Sequence, residues 1–321
     1  PAGHPGRVAR RSGPVVITCL GLAPALDITY GVAAVGLGRI HRPDWVLELA
    51  GGKAVNLARA LRTLGVQAQV VVPLGGYNGT AVAQALAAEG IAATVVPMAA
   101  NTRRCVTAVD AASGATTEFY EPAAAPEGAA LDQVLAAVDE LDSGWLAVSG
   151  SMPADAVAGV ADALARAGSR GVRIAADLQG AALRAVLDRT RVELVKVNRS
   201  EAAELFGPAG PRDLALRLRE AGAETAVVTD GAAGAVGLSA DGAWRATPGE
   251  RGRYAVGSGD SFLAGLLAGL SCGETLPGAL ARATSAAVAN TRTPGAARFA
   301  ASDVAEVAAG VAVRRLYGAD S

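Results

Sequence analysis

Near its C-terminal end the chain reads Val256-Gly257-Ser258-Gly259-Asp260-Ser261-Phe262. The residues that follow predict a helix, because four leucines between positions 263 and 270 repeat at helical spacing. Glycines before a helix let backbone N–H groups converge, and the helix dipole adds positive potential there. This pattern predicts an anion hole with Asp260 beside it, ionised by the same field and able to accept a proton from a hydroxyl. The alternative is a helix-favouring acid behind a glycine loop, since a short glycine motif is weak evidence.

A second glycine-rich segment opens an earlier helical pattern and reads Gly51-Gly52-Lys53-Ala54-Val55-Asn56. Lys53 and Asn56 are three residues apart, so they share one helix face. Backbone amides, a cation and an amide side chain together suit a phosphorylated or polyhydroxylated ligand. A tight strand-to-helix turn with a solvated lysine explains the same residues equally well.

Asn198 and Glu201 lie where a predicted strand ends and a predicted helix begins, just after Lys196. They could hold a hydrated Mg²⁺ beside ATP phosphates, because Mg²⁺ usually takes few protein ligands. The same spacing is typical of a reciprocal helix cap, which is at least as good an explanation of the pair alone.

Two further segments come after predicted strands. Asp27 follows the first strand, where its carboxylate could accept hydrogen bonds from two sugar hydroxyls; a turn or capping role is the alternative. Thr229, Gly231 and Gly234 follow another strand and could pass close to a nucleotide, although an ordinary strand-end turn has the same composition.

Short apolar runs alternate with alanine-rich helical stretches along the chain, which predicts a mainly parallel sheet covered on both faces. Ligands of such sheets bind beyond the carboxyl ends of the strands. The predicted strands are 15–20, 69–72, 94–96, 145–149, 173–176, 194–197 and 225–229. The predicted helices are 54–64, 81–89, 131–141, 154–167, 199–205, 212–221, 261–270, 276–290 and 302–316. Residues 45–49, 106–110 and 116–120 interrupt this alternation and predict a small projecting sheet with a hairpin turn at 111–114.

The composition excludes several classes of protein. A net charge of −1 argues against nucleic-acid or membrane-surface binding driven by charge. Three scattered cysteines offer no disulfide framework or metal-ligand spacing, and two histidines make a histidine-based catalytic triad improbable. The apolar run at 15–22 follows arginines and resembles a leader segment, but its length favours a first β-strand. We therefore expect a cytoplasmic enzyme.

Taken in order, these motifs resemble those of the ribokinase/PfkB carbohydrate kinase family over residues 15–316. The closest resemblance is to the branch of 1-phosphofructokinases and tagatose-6-phosphate kinases, which carry a Gly-Gly-Lys-Gly-(Ile/Val)-Asn motif and a Thr-Arg pair. Here these are residues 51–56 and Thr102-Arg103. The resemblance implies an α/β fold with a three-layer α/β/α core and a small β lid, its strands near 28–50 and 103–122. Residues 1–14 are expected to be a disordered extension and residues 317–321 a tail.

The resemblance also implies a role for each matching residue. The base matches Asp260, and the anion hole matches Gly257, Ser258 and Gly259. The sugar contacts match Asp27, Gly52 and Asn56, and the contacts to a phosphate already on the sugar match Lys53 and Arg103. The ATP–Mg²⁺ region matches Lys196, Asn198 and Glu201, with Glu201 holding the metal through water. The nucleotide loop matches Thr229, Gly231 and Gly234, and residues 293–296 are expected to approach adenine or a monovalent cation.

The sequence departs from this pattern at four places. Ala54 stands where the branch usually has Gly, and Val197 where Pro is common. Cys105 and Thr107 replace an Asn and a Lys that often follow the Thr-Arg pair, and the segment 178–179 replaces a common Thr-Ser. The last two changes touch the region that recognises the phosphosugar and leave the identity of the substrate open.

The implied reaction converts ATP and a sugar phosphate into ADP and a sugar bisphosphate, with fructose 1-phosphate phosphorylated at O6 as the first expectation. The alternatives are phosphorylation of fructose 6-phosphate or tagatose 6-phosphate at O1, or of an unphosphorylated sugar or nucleoside. Outside this class, the fold could serve as a non-catalytic sugar-phosphate sensor, although a sensor needs no base. A homodimer joined through the lids is expected, because an exposed lid strand needs cover.

Overall fold

The computed structural model describes residues 15–317. The predicted extension at 1–14 and residues 318–321 of the predicted tail lie outside this part of the chain. The strands of the described part are β1 (Val16–Leu20), β2 (Ala25–Val32), β3 (Trp45–Gly51), β4 (Gln67–Leu74), β5 (Ala92–Pro97), β6 (Arg103–Asp110), β7 (Thr116–Tyr120), β8 (Trp145–Ser149), β9 (Arg173–Asp177), β10 (Val192–Asn198), β11 (Ala223–Thr229), β12 (Ala235–Ser239), β13 (Gly242–Thr247) and β14 (Ala312–Leu316).

The helices connect these strands and cover the sheet. In the described part of the chain they are α1 (Lys53–Thr63), α2 (Gly76–Ala88), α3 (Ala129–Asp139), α4 (Ala154–Ser169), α5 (Gly180–Arg189), α6 (Arg199–Phe206), α7 (Pro211–Glu220), α8 (Ser258–Ser271), α9 (Leu276–Asn290) and α10 (Ala301–Ala308). Within residues 15–317, none of them combines the length and the apolar character that crossing a membrane requires.

A ten-stranded sheet forms the middle layer, in the order β14-β13-β12-β11-β10-β9-β8-β1-β4-β5. The strands from β5 to β11 in this order are parallel, and β12, β13 and β14 are antiparallel. The apolar run near the N-terminus is β1, which lies between β4 and β8, as its prediction as a strand required. Buried parallel strands read as continuous apolar runs, which is why the sequence located them.

Two apolar layers flank this sheet. Helices α1, α2, α8 and α9 pack on one face, and α3 to α7 pack on the other. Side chains of strand β1 point alternately to the two layers: Ile17 and Cys19 pack in the first and Leu20 in the second. The predicted three-layer α/β/α core is confirmed.

A second sheet of four strands, β3-β2-β6-β7, forms the lid. Strands β6 and β7 pair antiparallel as a hairpin, as predicted. Arg253 ties the turn of this hairpin to the core, because its Nη2 donates to the carbonyl oxygens of Asp110 at 2.9 Å and Ala111 at 3.0 Å. The lid is therefore anchored to the loop that precedes Gly257.

The structure corrects one sequence-based expectation and adds elements that the sequence did not predict. The helix predicted over 302–316 ends at Ala308, and Ala312–Leu316 instead forms β14, paired with the edge of β13. Gly310 disfavours continuation of the helix, and β13 offers unpaired backbone groups that only the folded sheet reveals. Strands β12 and β13 and helix α5 were not predicted. Asp27 lies inside strand β2, which excludes the turn that was the alternative to a sugar contact.

Candidate active site

Helix α8 begins at the glycine-rich stretch in a conformation that requires glycine. Gly257 has φ +80°, and a Cβ there would lie 2.6 Å from Cβ of Ala296. Asp260 lies in the first turn of α8 and is only 6% exposed. The N–H groups of a first turn have no partner inside their helix, so this turn can bind an anion beside the buried carboxylate.

Asp260 is held by one side chain of helix α1. Nδ2 of Asn56 donates to Oδ2 of Asp260 at 2.9 Å. Burial and then the charge of Asp177 raise the pKa of Asp260; Lys53, Asn56 and Lys196 lower it, and the net pKa is about 6. Desolvation of the buried carboxylate is the largest of these effects on its pKa. A carboxylate with a pKa near 6 suits general base catalysis better than an ordinary one.

A fully buried carboxylate, Asp177 at the end of β9, pairs with two lysines beside the first turn of α8. Its Oδ2 lies 3.3 Å from Nζ of Lys196, and its Oδ1 lies 3.5 Å from Nζ of Lys53. Burial raises the pKa of Asp177, but Lys196 and Lys53 outweigh this and hold the pKa below its usual value. Nζ of Lys196 also lies 3.1 Å from the position of a Cβ on Gly259. Lys196 is therefore placed to contact a phosphate bound at the first turn of α8.

Asp177 is a site residue that the sequence reasoning missed. Its position at the end of a predicted strand was the available signal, but the two lysines that define its role are 19 and 124 residues away. The charge of Asp177 raises the pKa of Lys53 above its ordinary value, with Glu201 adding to the effect. Lys53 therefore lies in the lysine–carboxylate cluster.

Asn198 and Glu201 form the reciprocal cap of helix α6 that the sequence allowed. Oδ1 of Asn198 accepts from N–H of Glu201 at 2.8 Å, and Oε2 of Glu201 accepts from N–H of Asn198 at 2.9 Å. The other carboxylate oxygen, Oε1 of Glu201, lies 3.6 Å from Nζ of Lys53. The cap thus fixes the orientation of Glu201 and leaves one oxygen toward the cluster of charges.

A cleft of about 260 Å³ runs from the end of β11 to the start of α8. Gly234 has φ +94°, and a Cβ there would lie 2.0 Å from the carbonyl oxygen of Ala246, so only glycine fits this turn. The predicted nucleotide-loop residues line the cleft together with the anion hole, namely Thr229, Gly231, Gly234, Ser258 and Gly259. The apolar wall was not predicted and comes from Phe262, Ala287 and Val288.

The opposite side of Asp260 is formed by the lid and by the start of α1. Asp27 on β2 pairs in register with Cys105 on β6. A Cβ on Gly51 would lie 2.0 Å from Cγ of Asp27, so this glycine makes room for the carboxylate. Burial raises the pKa of Asp27 to about 7; Arg59 and Arg103 lower it and the charge of Asp260 raises it. Asp27 of the lid and Asp260 of the core are therefore close enough for their charges to interact.

Arg103 begins strand β6 beside Gly52. Its Nη2 donates to the carbonyl oxygen of Ala23 at 3.3 Å, and its Nη1 to that of Glu121 at 3.3 Å. The same Ala23 oxygen lies 3.0 Å from the position of a Cβ on Gly52. Nε of Arg103 is buried and has no hydrogen-bond partner within residues 15–317. Arg103 thus borders the glycine pair, whereas the ion pairs of Lys53 are with Asp177 and Glu201.

The segment 293–296 packs against the glycine-rich stretch through a buried asparagine that the sequence did not reveal. Nδ2 of Asn290 donates to the carbonyl oxygen of Val256 at 2.8 Å, and its Oδ1 accepts from N–H of Ala297 at 2.7 Å. Asn290 therefore fixes the 291–297 loop beside Gly257.

The model of the pfkB family carbohydrate kinases matches residues 19–302. The chain belongs to this family. It is therefore a carbohydrate kinase. Ala54 is helical and buried, so its replacement of the usual glycine of the family costs little.

Its relatives include two kinds of phosphofructokinase. The chain is 33% identical over 261 residues to the ATP-dependent 6-phosphofructokinase isozyme 2 of Escherichia coli (strain K12), covering 78% of this chain and 84% of that protein. It is also 33% identical over 273 residues to the 1-phosphofructokinase of Rhodobacter capsulatus, covering 81% and 85%. The crystal structure of phosphofructokinase-2 from E. coli in complex with potassium superposes with a TM-score of 0.86 at 28% identity, covering 92% of this chain and 98% of that one.

Proposed function

We propose that this pfkB-family kinase transfers the γ-phosphoryl group of ATP to a hydroxyl of a sugar phosphate, with Asp260 as the general base. The position of Asp260 supports this most strongly. It is buried directly after Ser258 and Gly259, which line the cleft, and its charge acts on Asp27 of lid strand β2. Because a base must reach the hydroxyl while donors hold the phosphoryl group, one carboxylate between two binding regions suits the reaction.

In the proposed mechanism the sugar hydroxyl oxygen bonds to the γ-phosphorus as the bond from phosphorus to the β–γ bridging oxygen breaks. Asp260 takes the hydroxyl proton, and ADP carries away the electron pair of the broken bond. The first-turn N–H groups of α8 and Nζ of Lys196 hold the charge that develops on the phosphoryl oxygens. Mg²⁺, when bound, would neutralise phosphate charge, and Oε1 of Glu201, the oxygen outside the helix cap, would hold it through water.

Fructose 1-phosphate, phosphorylated at O6, is our first choice of substrate. Arg103 supports a phosphorylated sugar, because its guanidinium borders the glycine pair and a guanidinium fork matches the geometry of a phosphate. We assign the phosphate contact primarily to Arg103, since Asp177 and Glu201 neutralise Lys53. Fructose 6-phosphate phosphorylated at O1 is the second candidate, favoured by the equal identity to the E. coli 6-phosphofructokinase.

Arg103→Ala tests the substrate class. Removing one charge-assisted contact is expected to cost about 1.5–3 kcal/mol, or roughly 10- to 150-fold in affinity. KM for a sugar phosphate should therefore rise by that factor, while an unphosphorylated sugar should be affected little. The comparison is kcat/KM for fructose 1-phosphate, fructose 6-phosphate and fructose in wild type and variant.

Arg104→Ala is the control, because Arg104 is exposed and pairs with Glu121. A wild-type preference for free fructose, or equal losses on all three sugars, would reject the phosphosugar assignment.

We also propose that a monovalent cation binds near residues 293–296. The support is the potassium named in the E. coli structure and the way Asn290 presents this loop beside Gly257. Backbone carbonyl oxygens are hard ligands suited to such a cation, and in this loop those of Pro294 and Ala296 accept hydrogen bonds from Arg298 and Arg59.

A homodimer joined through the lids is the oligomer we propose. Val46 on β3 is 53% exposed, and Phe119 and Tyr120 on β7 are 63% and 53% exposed. These strands are the two edges of the lid sheet, which pair readily with another chain unless covered.

Light scattering at micromolar concentration should accordingly give the mass of a dimer. Phe119→Asp should give the mass of a monomer, because the charge would have to be buried in the interface. Leu216→Asp is the control, since Leu216 is 47% exposed on α7, outside the lid. A monomeric wild type, or a Phe119→Asp variant that remains dimeric, would contradict the lid interface.

A further inference from the structure

Arg59 is a buried arginine on helix α1 that the proposed reaction does not yet use. It is 8% exposed and makes five hydrogen bonds. A guanidinium has five N–H groups, so every donor is used. The acceptors are Asn56 Oδ1, both carboxylate oxygens of Glu89, and the carbonyl oxygens of Ala50 and Ala296.

The contact with Asn56 determines which way its amide faces. Nη1 of Arg59 lies 3.1 Å from Oδ1 of Asn56, and Nδ2 of the same amide lies 2.9 Å from Oδ2 of Asp260. Arginine only donates and an ionised carboxylate only accepts, so a reversed amide would oppose donor to donor and acceptor to acceptor. Residues 56 and 59 share a helix face, which holds the two side chains together.

We infer that Arg59 is a positioning residue for catalysis: it orients the amide of Asn56 so that this amide holds the carboxylate of Asp260 in place to receive the substrate proton. Glu89 completes the arrangement, because its carboxylate accepts from Nη2 of Arg59 at 2.8 Å and also from Nε. A bidentate contact of this kind fixes the plane of the guanidinium.

The other two contacts of Arg59 connect the base to both binding regions. Nη2 donates to the carbonyl oxygen of Ala50, at the end of lid strand β3, at 2.6 Å. Nη1 donates to that of Ala296 at 3.2 Å, and Ala296 packs against Gly257 of the anion hole. A lysine cannot reproduce this set, because its ammonium has three donors and no planar fork.

The inference rests on the proposed role of Asp260 as the base. If Asp260→Asn retains wild-type turnover, the proposed mechanism fails before Arg59 is tested. If Asp260→Asn is inactive while Arg59 variants retain full kcat, only the role of Arg59 fails.

The first test is a double-mutant cycle of Arg59→Met and Asn56→Ala with the wild-type chain, measuring kcat at saturating ATP and sugar phosphate. Arg59→Met should lower kcat by about 10- to 100-fold, the size of one charge-assisted contact, with KM for ATP unchanged. Because Arg59 acts through Asn56, the double variant should have the kcat of Asn56→Ala within about twofold. If the kcat losses of the two single variants multiply in the double variant, the inference is overturned.

The second readout is the pH dependence of kcat, which general damage to packing would not shift in one direction. The hydrogen bond from Asn56 favours the ionised form of Asp260, so its loss should raise the pKa of the base and move the acidic limb to higher pH. An unchanged limb in Arg59→Met would count against the inference. The other charged groups that face this carboxylate are Lys53, Lys196, Asp27 and Asp177. Because Arg59 lowers the pKa of Asp27, Arg59→Lys, which keeps the charge, should show the same shift of the acidic limb.

Arg62→Met is the matched control on the same helix. Arg62 is exposed and donates to the carbonyl oxygen of Gly90, so kcat and the pH profile should equal those of wild type. If Arg59→Met does not fold, Arg59→Lys takes its place in the cycle, because lysine keeps the charge but cannot bond Asn56 and Glu89 in the same planar arrangement. Full kcat in Arg59→Lys would overturn the inference.

Discussion

Asp260→Asn is expected to lower kcat by about 10²- to 10⁴-fold, the usual contribution of a general base. The amide matches the carboxylate in shape but has no basic oxygen, so the sugar hydroxyl would lose its proton acceptor. The affinity for ATP should stay close to that of wild type, because the cleft from Thr229 to Gly259 is unchanged. Steady-state kinetics of ADP release measures both quantities.

The control is Asp132→Asn, since Asp132 also lies in the first turn of a helix but is exposed. Its kcat should equal that of wild type. Near-normal turnover in Asp260→Asn would exclude this carboxylate as the base.

The pH profile gives a further check on Asp260. A base must be ionised, and burial raises the pKa of Asp260 to about 6. The kcat of the wild type should therefore fall as the pH drops through about 6, not through the ordinary aspartate value near 4. An acidic limb near pH 4 would show that Asp260 is not desolvated during catalysis.

Asp177→Asn is expected to lower the free energy of unfolding by about 3–5 kcal/mol, because it leaves Lys196 as a buried charge without its counter-ion. Asp177 is fully buried and the Lys196 side chain is 5% exposed, so water cannot replace the lost contact. Lys53 contributes less, since its side chain is 38% exposed. Urea denaturation of both proteins measures the difference.

The control for Asp177 is Asp162→Asn, which removes an exposed ion pair with Arg189. That change should cost less than about 1 kcal/mol. A comparably small effect of Asp177→Asn would contradict the role of the buried pair. Because the lysines hold the pKa of Asp177 below its usual value, its contribution is complete above about pH 4 and is lost as the pH falls through the lowered pKa.

Much of the core could be predicted because its strands are buried on both faces. The prediction of residues 145–149 agrees with β8, and that of 276–290 agrees with helix α9. The helix predicted over 302–316 was wrong at its C-terminal end, because an alanine- and valine-rich stretch has no strong preference for helix or strand. Its pairing with β13 depends on a sheet edge that exists only after folding.

The parts of the site that could be predicted are those formed by residues adjacent in the sequence. The segment around Gly257 predicted the first turn of α8, and the glycine pair predicted the start of α1, because glycine turns before helices are encoded by adjacent residues. Asn198 and Glu201 were recognisable as a cap for the same reason. The family followed from the order of these motifs along the chain.

By itself, the sequence determined the α/β class, the family, the glycine turns and the position of Asp260 at a helix start. Only the tertiary structure decided what surrounds that carboxylate. Burial is the largest influence on its pKa, Asp177 pairs with two lysines from other segments, and Arg59 orients Asn56 toward it. The physical reason is that desolvation, ion pairing and hydrogen-bond direction depend on distances between atoms that lie tens to hundreds of residues apart in the chain.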